Sequence, residues 1–237
     1  MGLMAQLPDD LNFFTQITME SAEDPEFLDA MRAAHIRGAL VGVEAVTPEG
    51  LKDVYKDFNL AGEDLVERLQ AFRQHGVYIL GSFIFGLPSD RPGTFDATAE
   101  LAQRAGVTFA QFVTLTPFPG TLDFEQWERE QGDEMPMVDG IPVSRHWLIP
   151  QEKRPKLLTP HPVMSGEQIR QGTQAVWNNF YSLKAAWKRS DMLKSFWNRV
   201  AFLVCSKAML QAFGNTGLAT DSARASRATR LGGFAFS

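Results

Sequence analysis

Four apolar runs recur along the first half of the chain, at Phe13–Thr18, Ala39–Val46, Val77–Leu87 and Phe109–Thr116. Each is short and rich in residues that suit strands. Between them the apolar spacing is helical. Pro25–Ala34 follows Asp24, an N-cap residue with proline at the first helical position, and places Phe27, Met31 and Ala34 on one face. Glu63–Gln74 aligns Leu65, Leu69 and Phe72 and stops at Gly76, a C-cap residue. Thr94–Arg104 groups Phe95, Ala99 and Ala102 and ends near Gly106. This alternation predicts parallel strands joined by crossover helices. The strands read as apolar along both faces, which predicts helical cover on both sides of the sheet. Four strands are half of what an eight-fold barrel uses. The competing doubly wound sheet calls for a Gly-rich turn after its first strand, where this chain reads MESAEDP.

The rhythm changes at Trp127. Residues 129–134 are polar and Pro136–Pro162 is broken by prolines. From Met164 helical spacing returns in Val176, Phe180, Leu183 and Trp187, then in Leu193, Trp197, Val200 and Leu203. The expected division is 1–126 for the strand–helix part, 127–163 for a connection and 164–237 for a helical region. The end, Gly214–Ser237, is expected to fray.

The composition is that of a globular protein: 44% apolar residues, with 18 Phe, 5 Trp and 9 Met, supply enough burial to offset chain entropy. The net charge of −5 hides a split. From Lys184 to Arg230 nine bases face two acids, or +7, leaving −12 for the remainder. Nucleic acid is not an expected partner, because the chain as a whole is acidic and carries no reader motif. Trp187, Trp197 and Phe202 interleave with Lys188, Arg189, Lys194 and Arg199. That pattern is read either as an interfacial face for peripheral membrane contact or as a bundle over the barrel with solvated bases. The start has neither a basic nor an apolar leader segment, so the expected location is cytoplasmic, with membrane association through that face.

Ligands of parallel α/β folds meet the carboxyl ends of strands. The first tip offers Thr18 and Glu20, and the second offers Glu44, a carboxylate suited to ribose hydroxyls or an amino group. A capping or solvated acid is the alternative there, as a capping hydroxyl is for Thr18. The third tip reads GSFIFGLPSD and the fourth TLTPFPGT. Gly86 marks either a close approach or a strand-ending turn. His35 and His75 fall at helix ends, His146 and His161 in the connection, and none has a partner at metal spacing. Cys205, the single cysteine, lies in an apolar stretch and is expected to be a buried thiol.

Three strings, in order and spacing, resemble radical S-adenosylmethionine (SAM) enzymes. GVEAVTPEGLKDVYKDFN is similar to their fourth-strand segment, GSFIFGLPSD to the fifth and TPFPGT to the sixth-strand exit, covering about residues 12–125. The cobalamin-binding branch, with hopanoid C-3 methylases and magnesium-protoporphyrin ester cyclases, is the most similar. The tail strings WNNFYSLKAAWKRS and GNTGLATDSARASRATR resemble the C-3 methylases.

The resemblance implies an α/β fold: a partial TIM-type β/α barrel lacking its first strands, followed by an α-helical C-terminal region. It implies SAM as cofactor, with a [4Fe-4S] cluster and cobalamin in the full-length family. It places Glu44 at the SAM ribose or its polar end and Thr18 near the amino acid moiety. Ile84, Phe85 and Gly86 would lie at the adenine, and Lys56 would be structural. The expected reaction is C-methylation of an unactivated carbon in a lipid-like substrate, through a 5′-deoxyadenosyl radical. An oxidative cyclase, or a remnant without a cluster acting as a binding partner, is the alternative. One cysteine cannot supply the family's three cluster thiolates. The chain alone is therefore expected to be inactive, with an upstream polypeptide carrying the cluster and the cobalamin domain.

Overall fold

A computed structural model describes residues 1–56, 62–150, 152–155 and 157–214; the expected fraying end from residue 215 onward lies outside them. Four parallel strands lie in the order in which they occur: β1 (Phe13–Ile17), β2 (Ile36–Glu44), β3 (Tyr78–Phe85) and β4 (Phe109–Thr114). The first crossover contains α1 (Pro25–Ala33), the second contains α2 (Pro48–Asp53) and α3 (Glu63–Gln74), and the third contains α4 (Pro92–Arg104). After β4 come α5 (Leu122–Gln131), a small hairpin of β5 (Met137–Val138) and β6 (Ile141–Pro142), then α6 (Gly166–Phe180), α7 (Leu183–Arg189) and α8 (Phe196–Phe213).

The helix starts follow from their caps. The Asp24 carboxylate accepts from Phe27 N–H, and Thr47 and Thr121 hydroxyls do the same for Gly50 and Phe124. The Ser165 and Gln168 side chains form a reciprocal capping box at α6.

The strand order advances in one direction, and the crossover helices share one core. Leu28 and Met31 of α1, Leu69 and Phe72 of α3, and Ala99 and Ala102 of α4 pack in one cluster with Val41, Phe83, Phe85 and Phe112 of the sheet. The expectation of cover on both faces is corrected here. The opposite face carries Phe14, Gln16, Gly42, Ser82 and Gln111, none of them in the core cluster, and Phe14 is 61% exposed. That face is read as apolar in the sequence because its few polar positions are scattered among aromatic neighbours.

The two sheet edges differ. The outer edge of β4 is sealed by α6. The Tyr181 hydroxyl accepts from Ala110 N–H at 3.0 Å and donates to Ala110 C=O at 2.7 Å, and Trp177 Nε1–H donates to Phe112 C=O at 2.9 Å. These buried bonds satisfy groups that a next strand would otherwise pair. Burial pushes the Tyr181 hydroxyl pKa up to about 12, so it stays protonated and able to donate. Among the described residues the edge strand β1 pairs only with β2, and it has the uncharged sequence FFTQI.

Arg189 and Phe202 are not on an exposed interfacial face. Arg189 is buried, with its guanidinium 3.7 Å from the Phe180 ring centroid, and burial pushes its pKa down to about 10. Phe202 packs on Phe109 at 5.1 Å between ring centroids. Trp197 is 76% exposed, and Arg199 covers the Trp187 ring at 4.0 Å. Cys205 is exposed rather than buried. Among the described residues no helix is long and apolar enough to cross a membrane.

Tyr181→Phe keeps the ring packing but leaves both Ala110 groups unpaired. It is expected to lower unfolding stability by about 2 kcal/mol in urea denaturation; an unchanged midpoint would count against edge sealing.

Candidate functional site

A cavity of about 820 Å³ opens at the carboxyl ends of the strands. Its floor is the uncovered sheet face, with Ser82 and Ile84 from β3 and Gln111 and Val113 from β4. Gln111 Nε2–H donates to Ser82 Oγ at 2.9 Å, making a polar spot in an otherwise apolar floor.

Glu44 stands at the wall. It ends β2 in the left-handed region, at φ 65°, just after a register shift between Gly42 and Glu44. Such a conformation is rare for a residue with a side chain and concentrates at functional sites. Its carboxylate meets Lys56 Nζ at 3.1 Å, and Lys56 also reaches Gly42 C=O at 3.4 Å. Gly42 makes the arrangement possible. A Cβ there would lie 2.3 Å from Glu44 Oε1 and 3.1 Å from Lys56 Nζ. A partly exposed pair of this kind contributes about 0–1 kcal/mol to stability. The strained backbone and the glycine thus place a carboxylate and an ammonium at the cavity for little stability in return. Lys56, given a structural role by the resemblance, is a cavity residue.

The other expected site residues are spread more widely. Ile84 lines the cavity with Glu44. Phe85 points to the opposite face, where it packs against Phe95 at 4.7 Å between ring centroids. Gly86 lies beyond the cavity lining, at φ 92°, where a Cβ would come within 3.1 Å of Leu157 Cδ1. Thr18 is exposed and outside the lining, and its hydroxyl bonds to Glu20, lowering that carboxyl pKa.

The turn after β3 is held by residues that sequence reasoning passed over. Asp90, 2% exposed, accepts from Gly86 N–H at 2.8 Å and Leu87 N–H at 3.0 Å through one oxygen. His161 bonds through Nε2 to Leu87 C=O at 2.9 Å, while its Nδ1 accepts from Val163 and Met164 N–H. These bonds tie the connection to the strand end. Around it, Ala45 and Leu51 pack with Leu87 over the strand tips. The later helices complete the cavity with Arg170, Thr173 and Phe213. The aspartate two residues after Pro88 was the available signal for this turn.

Among the described residues there is no group of three or more His, Cys, Asp or Glu side chains able to hold a metal.

Comparison with known proteins places the fold and the relatives. No family model matches the chain. A hopanoid C-2 methylase of Rhodopseudomonas palustris is 26% identical over 120 residues, covering 51% of this chain and 23% of that protein. A bacteriochlorophyllide d C-12(1)-methyltransferase of Chlorobaculum tepidum is 32% identical over 112 residues, covering 46% and 24%. An uncharacterised methyltransferase of Pyrococcus horikoshii is 28% identical over 96 residues, covering 40% and 20%. The chain therefore matches about a fifth to a quarter of the length of these relatives, all of which are methyltransferases. The hopanoid relative is a C-2 methylase, not one of the C-3 enzymes that the tail strings led us to expect. Among solved structures, the radical SAM methyltransferase TsrM from Kitasatospora setae, with cobalamin and a [4Fe-4S] cluster bound, superposes with a TM-score of 0.54 at 18% identity, covering 89% of this chain and 50% of that one. The form with tryptophan and a SAM analogue gives 0.55 at 20% identity, covering 75% and 39%. The chain shares the α/β fold of these structures, with its parallel sheet.

Burial raises the Asp90 pKa above the usual carboxylate value, against the two amide hydrogen bonds and His161, with Asp53 adding to the rise. A raised folded-state pKa means a stabilising contribution present at low pH and lost as pH rises through that pKa. Asp90→Asn, which retains an oxygen acceptor, is expected to be neutral or stabilising at pH 7, with the gain vanishing toward pH 3. Asp90→Ala is expected to cost about 2 kcal/mol. Thermal melts of both variants across pH check this; equal losses at pH 7 would contradict it.

Proposed function

We propose that the chain forms the nucleoside-binding part of a radical SAM, cobalamin-dependent C-methyltransferase acting on an unactivated carbon of a lipid-like substrate such as a hopanoid. The observation that carries the reading is Glu44, held in a left-handed conformation beside Lys56 at the cavity on the strand tips. The methyltransferase relatives, one of them a hopanoid methylase, and the fold likeness to TsrM support the same class.

In this reading the sheet is the later portion of a partial β/α barrel, and its inner side is the uncovered face. The residues at the cavity fit SAM. The Glu44 carboxylate accepts hydrogen bonds from ribose hydroxyls or the amino group, Lys56 Nζ neutralises a carboxylate, and Ile84 and Val113 offer apolar surface to the adenine. Bound there, SAM would supply the hydrogen-abstracting chemistry of the family. The cavity residues hold and orient the nucleoside and exclude water from its apolar side.

A [4Fe-4S] cluster does not fit this chain's own residues. The one cysteine, Cys205, is exposed on α8 and does not line the cavity. The cluster and cobalamin are assigned to a further polypeptide segment, which joins on the unsealed edge at β1. The lone cysteine also favours a second reading, a partner that binds SAM without cleaving it.

Titration calorimetry tests the site. The chain is expected to bind SAM, and Gly42→Ala and Glu44→Gln are each expected to weaken binding roughly tenfold, the worth of one good charged hydrogen bond, with little change in melting temperature. No binding by the wild-type chain, or equal affinity in both variants, would overturn the assignment. Reconstitution with iron and sulfide is expected to leave no stoichiometric brown species on this chain; a stable one would contradict the cluster assignment.

A further inference from the structure

A second cavity, of about 410 Å³, lies at the amino ends of the strands. Its walls are almost entirely apolar: Phe14, Tyr78 and Leu80 from the sheet, Phe109 from β4 and Phe202 from α8. The site at Glu44 does not use it.

The two cavities share one floor and one wall. Leu80 lines the second cavity, and Ser82, the next residue on the same face of β3, lines the first. On β4 the same step runs from Phe109 to Gln111. Side chains two apart on a strand are neighbours on one face, so the cavities abut along two adjacent strands. Helix α8 borders both, with Phe202 in the second and Phe213 in the first. From Phe109 to Val113 the strand advances about 13 Å, and from Phe202 to Phe213 the helix advances about 16 Å. Floor and wall therefore run comparable distances.

We infer that the two cavities form one trough for an elongated, mainly hydrocarbon amphiphile. Its functional end lies in the larger cavity beside Glu44, and its apolar body extends along β3 and β4 to the aromatic end. The chemistry follows from the lining. The far end offers aromatic and aliphatic surface with Arg37 as its one charged residue. Polar groups gather at the near end, in Glu44, Lys56, Ser82 and Gln111. A compact polar substrate would leave the far end unused. The inference rests on the proposed function for the identity of the reaction, since it names the substrate class of the same site.

The test uses the 237-residue chain and dehydroergosterol, a rigid fluorescent sterol with one hydroxyl, read by energy transfer from tryptophan. Saturable one-to-one binding is expected. Tyr78→Glu and Leu80→Trp at the far end, and Val113→Glu at the near end, are each expected to weaken it at least tenfold. Circular dichroism shows whether each variant is folded. Tyr78 is 38% exposed and Val113 40% exposed, so their substitution leaves the helix-side core intact. Absence of saturable binding overturns the trough, as does equal affinity in all folded variants, which marks adventitious adsorption or a face reserved for another polypeptide. Sensitivity at one end only also overturns it. SAM titration of Tyr78→Glu separates the two readings: SAM affinity retained with sterol binding lost supports the trough. SAM binding absent from the wild type, with sterol binding sensitive at both ends, overturns the nucleoside site alone.

Discussion

One-sided burial governs this molecule. The crossover helices cover a single face of a parallel sheet, and Phe72, Phe83, Phe85 and Phe112 concentrate the core there. The other face, which α8 covers only in part through Phe202 on Phe109, carries Gly42, Ser82 and Gln111, and the polar pair there is satisfied by the Gln111–Ser82 hydrogen bond. A one-way strand order puts every strand tip at the same end of that open face. The cavity beside Glu44 and the trough inferred to lead from it follow from this arrangement together with the wall that the later helices add.

The two edges extend the argument. Closing β4 with Tyr181 and Trp177 turns α6 into a substitute for a further strand, satisfying edge groups with side chains. It also fixes where the chain goes next, since α6 must lie along β4 before α7 and α8 return across it. Phe202 and Phe213 reach the open face as a result. The C-terminal helices are thus part of the site's wall.

Much of the sheet was legible from apolar spacing. The helix expected over Glu63–Gln74 has those bounds, and the one expected from Thr94 starts two residues earlier because Pro92 suits the first turn. The six-residue α2 was too short to show a period, although Thr47–Pro48 carried its start signal. Helix α5 spans residue 126, where the strand–helix part was expected to end, because Thr121 caps it and Phe124 and Trp127 anchor it against Val143 and Ile149. Within the site, Glu44 was readable from its place at a strand tip. Other residues around the cavity and the neighbouring turn were not. Ser82 and Gln111 become neighbours only through the register of β3 and β4, and His161 meets Leu87 from 74 residues away. The role of Gly42 emerges only when the Glu44 side chain is seen lying over it.

The central claim is that the strand tips at Glu44, and no other surface, receive the nucleoside. Hydrogen–deuterium exchange with and without SAM measures this most directly. Slowed exchange confined to residues 42–45, 82–86 and 111–115 is the predicted result. Protection on the helix-covered side, along α1 and α3, with the strand tips unchanged would contradict the account.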